Sequence, residues 1–498
     1  MHIQPSAPPQ PLYSAESVRE LDRRAMAALD IPAIALMKRA GRAAFAELQR
    51  RWPEAKRLQV FCGGGNNGGD GYVIAALAAQ KQIPVTVYAC VAPDELKGDA
   101  LEASRFAGRE GAHIVTSLLE MDADDGDTVI VDALLGTGFE GPLRENVAAA
   151  VERINRATGP VLAVDIPSGL SADTGAAEQA VRADATVTFI GRKFGLHCGR
   201  GPALCGEVVF ESLGAPDSVY GDLQPLVRRY DSDSLARLPR RAADSYKNQY
   251  GHILIVGGDS GFGGAALMAA ESAARAGAGL ISLATRPEHL PAALTRCPEV
   301  MARPVISGQE LEPLLESPDV IAVGPGLGRA PWGEQLLARA GRAQAPMVLD
   351  ADALNILAGG RVLAGLKRDD WVLTPHVGEA ARLLDCDTAE VLADPRAAAI
   401  AIQQKFSGVV ILKGAGTLIA HAGGVDLINS GNPGMASGGM GDLLTGVVAA
   451  LIGQGMDIVE AARLAVWLHG EAGNCAAEDG QRGLLATDLL PWVRRLVD

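Results

Sequence analysis

The sequence predicts an α/β protein built as two layered domains, and three observations carry that expectation. At 498 residues the chain exceeds what one hydrophobic core ordinarily organises. Short apolar stretches rich in Val, Ile and Leu alternate with helical stretches in both halves. Glycine-rich or polar runs follow the apolar stretches directly, where ligands sit in an open parallel sheet. Composition agrees: hydrophobic residues reach 48% and aromatics only 4%, and 59 glycines suit close helix-to-sheet packing.

The first dozen residues are proline-rich and carry neither a basic nor an apolar run, so no signal peptide is expected. Ser17 and Glu20 suggest a capping box for a helix with Val18, Leu21, Ala25 and Leu29 on one face, and a second helix is expected over 33–51. A buried strand over 58–62 runs into Gly63-Gly64-Gly65-Asn66-Asn67-Gly68-Gly69-Asp70-Gly71, with a helix expected from Tyr72. Six glycines in nine residues mark a ligand loop. Its spacing is not G-x-G-x-x-G, and the strand over 85–90 ends without an acidic residue, which excludes an ordinary dinucleotide dehydrogenase. Two further strands end in aspartate and leave through glycine: Asp132 before Gly136, and Asp165 before Ser168 and Gly169. Asn67, Asp132 and Ser168 are expected to converge with Asp165, and two carboxylates there would repel unless a cation or a proton separates them. Asp70 and Glu140 are alternatives that could equally be loop caps. Lys193 reads either as a solvated loop residue, which composition favours slightly, or as an acid/base partner.

Mixed charge with Gly214, Pro216, Gly221 and Pro225 places the domain boundary at 213–238. A second α/β pattern follows, with strands expected near 251–256, 280–284, 320–323, 346–349, 371–373, 409–412 and 418–420. Polar exits recur after them at 257–264, 324–328, 350–355, 374–379 and 413–417. His376 read alone is more often structural. The run Asn432-Pro433-Gly434-Met435-Ala436-Ser437-Gly438-Gly439-Met440-Gly441-Asp442 leads into an apolar helix from Leu443. Converging amides and a helix start make such a junction an anion site. Asp442 there is either a cap or the base that deprotonates an attacking hydroxyl.

The net charge of −14 argues against a nucleic acid partner. Seven dispersed cysteines without a C-x-x-C pair indicate a reducing compartment and no zinc or iron–sulfur site, so a cytoplasmic location is expected. No uninterrupted apolar run of about 18 residues predicts a membrane span.

These motifs carry a resemblance. Asn66 to Asp70, Asp132-Ala133-Leu134-Leu135-Gly136-Thr137-Gly138 and Asp165-Ile166-Pro167-Ser168-Gly169 resemble NAD(P)H-hydrate epimerase domains. Gly324-Pro325-Gly326-Leu327-Gly328, Thr374-Pro375-His376, Lys413-Gly414-Ala415-Gly416-Thr417 and Asn432 to Asp442 resemble ADP-dependent NAD(P)H-hydrate dehydratases. Together they are similar to bifunctional bacterial repair enzymes over almost all of 14–495. The resemblance implies two three-layer αβα domains, a Rossmann-like epimerase fold over 1–220 and a ribokinase-like fold over 241–498, with a linker at 221–240. It implies that the substrates are reduced nicotinamide cofactors hydrated at C6 of the ring. The first domain would interconvert R and S epimers, and the second would dehydrate the S form with ADP, releasing AMP and phosphate.

By the same resemblance, Asn66, Asn67, Gly68, Gly69 and Asp70, the loop Gly136-Thr137-Gly138-Phe139-Glu140-Gly141-Pro142, and Asp165 would hold the hydrated cofactor. Asn67, Asp132 and Ser168 would bind potassium. In the second domain Ala265, Gly326, His376 and Asp442 would hold the hydrate, while Lys413, Gly414, Ala415, Gly416 and Thr417 with Gly441 would hold the nucleotide, assisted by magnesium. Asp442 is the expected base for dehydration; Asp165 is the first candidate acid/base for epimerisation and Lys193 the second. Expected partners are NAD(P)H-hydrate and ADP as small molecules and further copies of the chain in a homo-oligomer, with no nucleic acid and no membrane. The alternatives are a ribokinase-like small-alcohol kinase with an accessory nucleotide-binding domain, and a non-catalytic cofactor-sensing scaffold.

Overall fold

The computed structural model describes residues 3–121 and 126–498. It contains two compact units, one of residues 11–227 and one of residues 3–10 together with 228–498. The division differs from the expected one at both ends of the first domain. Ile3 exchanges backbone hydrogen bonds with Arg237 (3.0 and 3.1 Å), and the amides of Ser6 and Ala7 donate to the Asp233 carbonyl, so the first residues belong with the later part of the chain. The stretch expected to be a linker contains the strand Val227–Tyr230, paired in parallel with Gly424–Ile428.

The N-terminal unit is a seven-stranded sheet, parallel throughout. Its order is His113–Val115, Val85–Ala89, Arg57–Cys62, Thr128–Ala133, Val161–Val164, Ala185–Phe189, Glu207–Glu211. Chain order reverses between Arg57–Cys62 and Thr128–Ala133, and a crevice opens at such a switch point. Both strands are buried along nearly their whole length because helices cover both faces. The helix Ala15–Leu29 is capped by Ser14, whose hydroxyl accepts from the Ser17 amide (3.1 Å); Ser17 is inside the helix and not its cap.

The glycine run after Cys62 is shorter as a loop than its composition suggests, because the helix Asn66–Gln80 already begins at Asn66. Glycine serves there to bring backbones together. A β-carbon on Gly68 would stand 1.9 Å from the Gly63 carbonyl oxygen, and one on Gly63 would stand 1.8 Å from the Leu134 carbonyl oxygen.

The second unit's sheet runs, from Val227–Tyr230, through Gly424–Ile428, Thr417–His421, Val409–Leu412, Trp371–Leu373, Met347–Leu349, Val320–Val323, His252–Val256, Leu280–Thr285 and Met301–Pro304. It is parallel from Met301–Pro304 to Val409–Leu412 and antiparallel over the next two pairings. Its switch point lies between His252–Val256 and Val320–Val323, where Gly257 and Gly324 begin their loops. The helix Met440–Gly453 starts three residues earlier than expected and packs on Gly263–Arg275. A β-carbon on Gly446 would stand 2.0 Å from the Ala269 carbonyl oxygen, and Ser272 Oγ donates to the Leu443 carbonyl (2.9 Å). Among the described residues no helix is long and apolar enough to cross a membrane, and every cysteine is free.

Gly68→Ala is expected to destabilise the N-terminal unit by about 1–3 kcal/mol or more, since backbone must move to admit the methyl group. Urea unfolding followed by a probe in residues 11–227 checks it; an unchanged midpoint would show that the Gly63–Gly68 approach is not needed.

Candidate active sites

The switch point of the N-terminal unit separates the expected residues into two groups. In the first, Asp132 is fully buried near the end of its strand and accepts from the Ser168 amide (2.7 Å), the Ser168 hydroxyl (2.6 Å) and the Leu134 amide (3.2 Å). Ser168 Oγ accepts in turn from the Leu135 amide (2.8 Å), and Asn67 Nδ2 donates to the Leu135 carbonyl (2.8 Å). Burial raises the Asp132 carboxyl to about 6 against the pull of these hydrogen bonds. The expected repulsion from Asp165 does not act on it, because Asp165 lies beyond its own strand and faces a different group. Asn67 Oδ1 is buried without a hydrogen-bond partner. An orphaned amide oxygen beside a buried carboxylate and a hydroxyl is the hard oxygen donor set that suits an alkali cation.

The second group centres on Lys193, whose side chain is completely buried, so the solvated reading is overturned. Its ammonium donates to Asp165 Oδ1, to Thr188 Oγ1 (2.8 Å) and to the Phe189 carbonyl (3.2 Å), which uses all three N–H bonds. Asp165 adopts the left-handed region (φ 68°), unusual outside glycine and the kind of backbone strain that gathers at functional sites. Asp70, the fifth residue of the helix Asn66–Gln80, is buried, and burial together with the charges of Asp165 and Asp22 pushes it well above the carboxylate range. Asp22, on the helix Ala15–Leu29, is the member that motif reading missed; it stands outside any glycine run. Asn66, Gly68 and Gly69 precede Asp70 at the start of the same helix, and Gly136 to Pro142 lie in the loop between Thr128–Ala133 and Glu145–Arg156.

In the second unit the centre is Asp350, the residue after Met347–Leu349 and almost wholly buried. It accepts from Lys413 Nζ (2.8 Å), Thr374 Oγ1 (2.7 Å) and Thr445 Oγ1 (2.9 Å). Burial opposes its ionisation, but the Lys413 charge and these hydrogen bonds prevail and hold it below the usual value. Lys413 Nζ also lies 3.9 Å from Glu379 Oε2. Asp350, Thr374 and Glu379 fall within the polar exits read from sequence and Thr445 within the helix after the glycine run, but none of the four was given a role there, although an aspartate at the end of an apolar strand is the signal that exposed Asp132 and Asp165.

Asp442 sits in the first turn of Met440–Gly453, whose N-cap is Gly439 in the left-handed region (φ 92°) and makes no side-chain cap bond. Among the described residues the Asp442 carboxyl has no hydrogen-bond partner, so it is not a cap. Burial first, then the charge of Asp350, raise it to about 7 against the pull of Lys413, with Glu379 adding to the rise. Glu379 is likewise raised to about 7, chiefly by burial. His376 is structural in one respect: its Nδ1 caps the next helix by accepting from the Gly378 amide (2.9 Å), and its lowered pKa follows from burial and then Lys413. Its Nε2 lies 3.4 Å from Glu379 Oε1, and the side chain as a whole is about half exposed. Gly414, Ala415 and Gly416 form the turn between Val409–Leu412 and Thr417–His421; Ala265 stands near Gly326 across the switch point, and a β-carbon on Gly441 would be 3.2 Å from Lys413 Nζ. His469 was also missed: its Nε2 is buried without a partner, and burial followed by the Lys413 charge lowers its pKa to about 4.

The family described as NAD(P)H-hydrate dehydratase matches residues 253–495, and the one described as YjeF-related protein N-terminus matches 33–195. The chain is 44% identical over 491 residues to the bifunctional NAD(P)H-hydrate repair enzyme Nnr of Coxiella burnetii, covering 98% of this chain and 99% of that one. The chain belongs to the bifunctional NAD(P)H-hydrate repair enzyme family. Its likeness to the namesake from Escherichia coli is 41% over 502 residues, covering 100% and 96%. Among solved structures, an ADP/ATP-dependent NAD(P)H-hydrate dehydratase from Bacillus subtilis, co-crystallised with ATP and Mg2+, is 29% identical with a TM-score of 0.47, covering 52% of this chain and 93% of that one.

Lys413→Met leaves Asp350 buried with no cation and is expected to cost the second unit about 3–5 kcal/mol at neutral pH. In the unmodified protein Asp350 is depressed, so its contribution is present above the unfolded value of about 3.9 and lost on acidification through the folded one. Without Lys413 burial raises Asp350, so the variant's deficit should shrink as pH falls. Urea unfolding at pH 8 and pH 5 measures this; an equal deficit at both would rule out the buried ion pair as its source.

Proposed function

We propose that the chain restores hydrated nicotinamide cofactors in two steps, epimerising the hydrate in the N-terminal unit and dehydrating its S form with ADP in the second. The observation that carries this is Asp442: a carboxyl with no hydrogen-bond partner among the described residues, poised near neutrality, in the first turn of a helix that opens on glycine beside Lys413. The amides around Gly439 to Gly441 would receive a phosphoryl group while Asp442 takes the proton of the attacking hydroxyl. The C6 oxygen then bonds the β-phosphorus of ADP and AMP leaves. The phosphate ester departs from C6, pushed by the lone pair of the ring nitrogen, and C5 loses its proton, which completes removal of one water. Family membership disfavours the alcohol kinase reading, because a kinase would retain the phosphorylated product.

Magnesium would arrive on the nucleotide phosphates and neutralise part of their charge. Among the described residues no three His, Cys, Asp or Glu side chains gather to cage a metal, and magnesium commonly binds with few protein ligands. Potassium suits Asn67, Asp132 and Ser168 because Asn67 Oδ1 lacks a partner; it would hold that corner rigid and neutralise Asp132.

In the N-terminal unit, inversion at a carbon bearing both a hydroxyl and the ring nitrogen needs proton transfer and no redox change. The hydroxyl proton passes to a base, the C6–N1 bond breaks toward nitrogen, and N1 takes a proton. The aldehyde so formed turns its other face and the steps reverse. Asp165 is the proposed base. Lys193, with every N–H engaged, positions it.

Asp442→Ala should lower dehydration by about 10²–10⁴-fold while epimerisation continues. Recovery of the near-ultraviolet absorbance of the reduced ring, from a mixed-epimer hydrate with ADP, magnesium and potassium, measures the first. Chromatographic separation of the epimers measures the second. Since Asp442 must be ionised to act and titrates at about 7, dehydration should fall as the medium is acidified through that value. Near-normal dehydration by the alanine variant would falsify the assignment.

A further inference from the structure

The start of the helix Ala15–Leu29 and the Lys193 loop form one backbone ladder. The Tyr13 amide donates to the Arg192 carbonyl (2.8 Å), and the Phe194 amide donates to the Tyr13 carbonyl (3.2 Å). The first helical amide, Ala15, donates to Asp173 Oδ1 (2.6 Å). Gly191 then packs directly on the helix: a β-carbon there would stand 2.9 Å from Val18 and 3.0 Å from Leu21. On the next residue, Arg19, the guanidinium lies 4.0 Å from the β-carbon position of Gly138, in the loop proposed to hold the hydrate.

One turn on from Val18 and Arg19, on the same face, is Asp22. It is half-buried and close enough to Lys193, Asp165 and Asp70 to share their electrostatic field, and among the described residues its carboxyl has neither a hydrogen-bond partner nor an ion pair. We infer that Asp22 is the second acid/base residue of the N-terminal site, giving the ring nitrogen its proton while Asp165 takes the hydroxyl proton. This rests on the epimerase reading above.

Three carboxyls, Asp22, Asp70 and Asp165, surround one ammonium whose N–H bonds are already committed to Asp165, Thr188 and Phe189. They cannot all ionise. Asp70 is deepest, and burial with the charges of Asp165 and Asp22 favours its protonated form. Asp22 is raised by burial and by Asp165, lowered by Lys193, and titrates at about 7, so it can both give and regain a proton near neutrality. In the forward half-step the C6 hydroxyl loses H⁺ to Asp165, the C6–N1 electron pair moves to nitrogen, and Asp22 delivers H⁺ to N1. Ring closure from the other face returns both protons, so each carboxyl ends as it began.

The test is full-length Asp22→Asn and Asp22→Glu assayed on pure R hydrate with saturating ADP, where only epimerised material can recover absorbance. Asn is expected to slow R recovery about 100-fold or more while S dehydration is unchanged, and Glu should restore most of the rate. The kcat/KM profile for the R form should lose its limb near 7 in the Asn variant. Full-rate R recovery in the Asn variant would overturn the proposal. So would a slowed variant that keeps the limb, or a Glu variant as slow as Asn with thermal unfolding unchanged. If the unmodified protein consumes R hydrate no faster than it drifts uncatalysed, the epimerase reading itself fails.

Discussion

A parallel strand covered on both faces can hold a small or amide side chain along its length but a charged one only toward its ends, and both units of this protein depend on that constraint. Their interiors are closed to charge along the strands, so carboxylates collect at the carboxyl ends: Asp132 and Asp165 in one sheet, Asp350 in the other. The switch in strand order separates the flanking helices there and leaves room for a ligand. The chemistry is placed by topology before any particular side chain is chosen.

Each unit then commits one lysine to one strand-end aspartate, the buried Lys193 to Asp165 and the partly exposed Lys413 to Asp350. A single ammonium cannot neutralise every carboxyl gathered around it. The surplus groups are left to hold protons with affinities near neutrality: Asp22 in the N-terminal unit, Asp442 and Glu379 in the other. That imbalance would be a defect in a purely structural core, because a matched apolar pair is at least as stable. In a site that must move protons it sets the working range.

The central strands and the glycine-rich exits were legible because they are continuous apolar runs of ordinary length followed by residues that cannot extend them; 320–323, 371–373 and 409–412 match the structure residue for residue. The short strands His113–Val115, Glu207–Glu211 and Gly424–Ile428 were not, since pairing rather than composition makes them strands. Helix starts were read late at Asn66 and Met440, because glycine is a poor helix former that is retained there for close backbone approach. Among site residues, those inside motifs were visible. Asp22 was hidden on the face of an amphipathic helix, and Lys193 looked solvated because its burial depends on Asp165, Thr188 and Phe189, none of them next to it in sequence.

Residues 3–10 pack with a unit whose remaining residues begin at 228. Topologically, residues 11–227 are therefore an insertion within the other unit. During synthesis the inserted unit emerges whole and can fold at once, whereas Ile3, Ser6 and Ala7 must wait for Asp233 and Arg237 to be made. Residues 3–10 thus precede the inserted unit in translation yet complete their contacts only after it has been made.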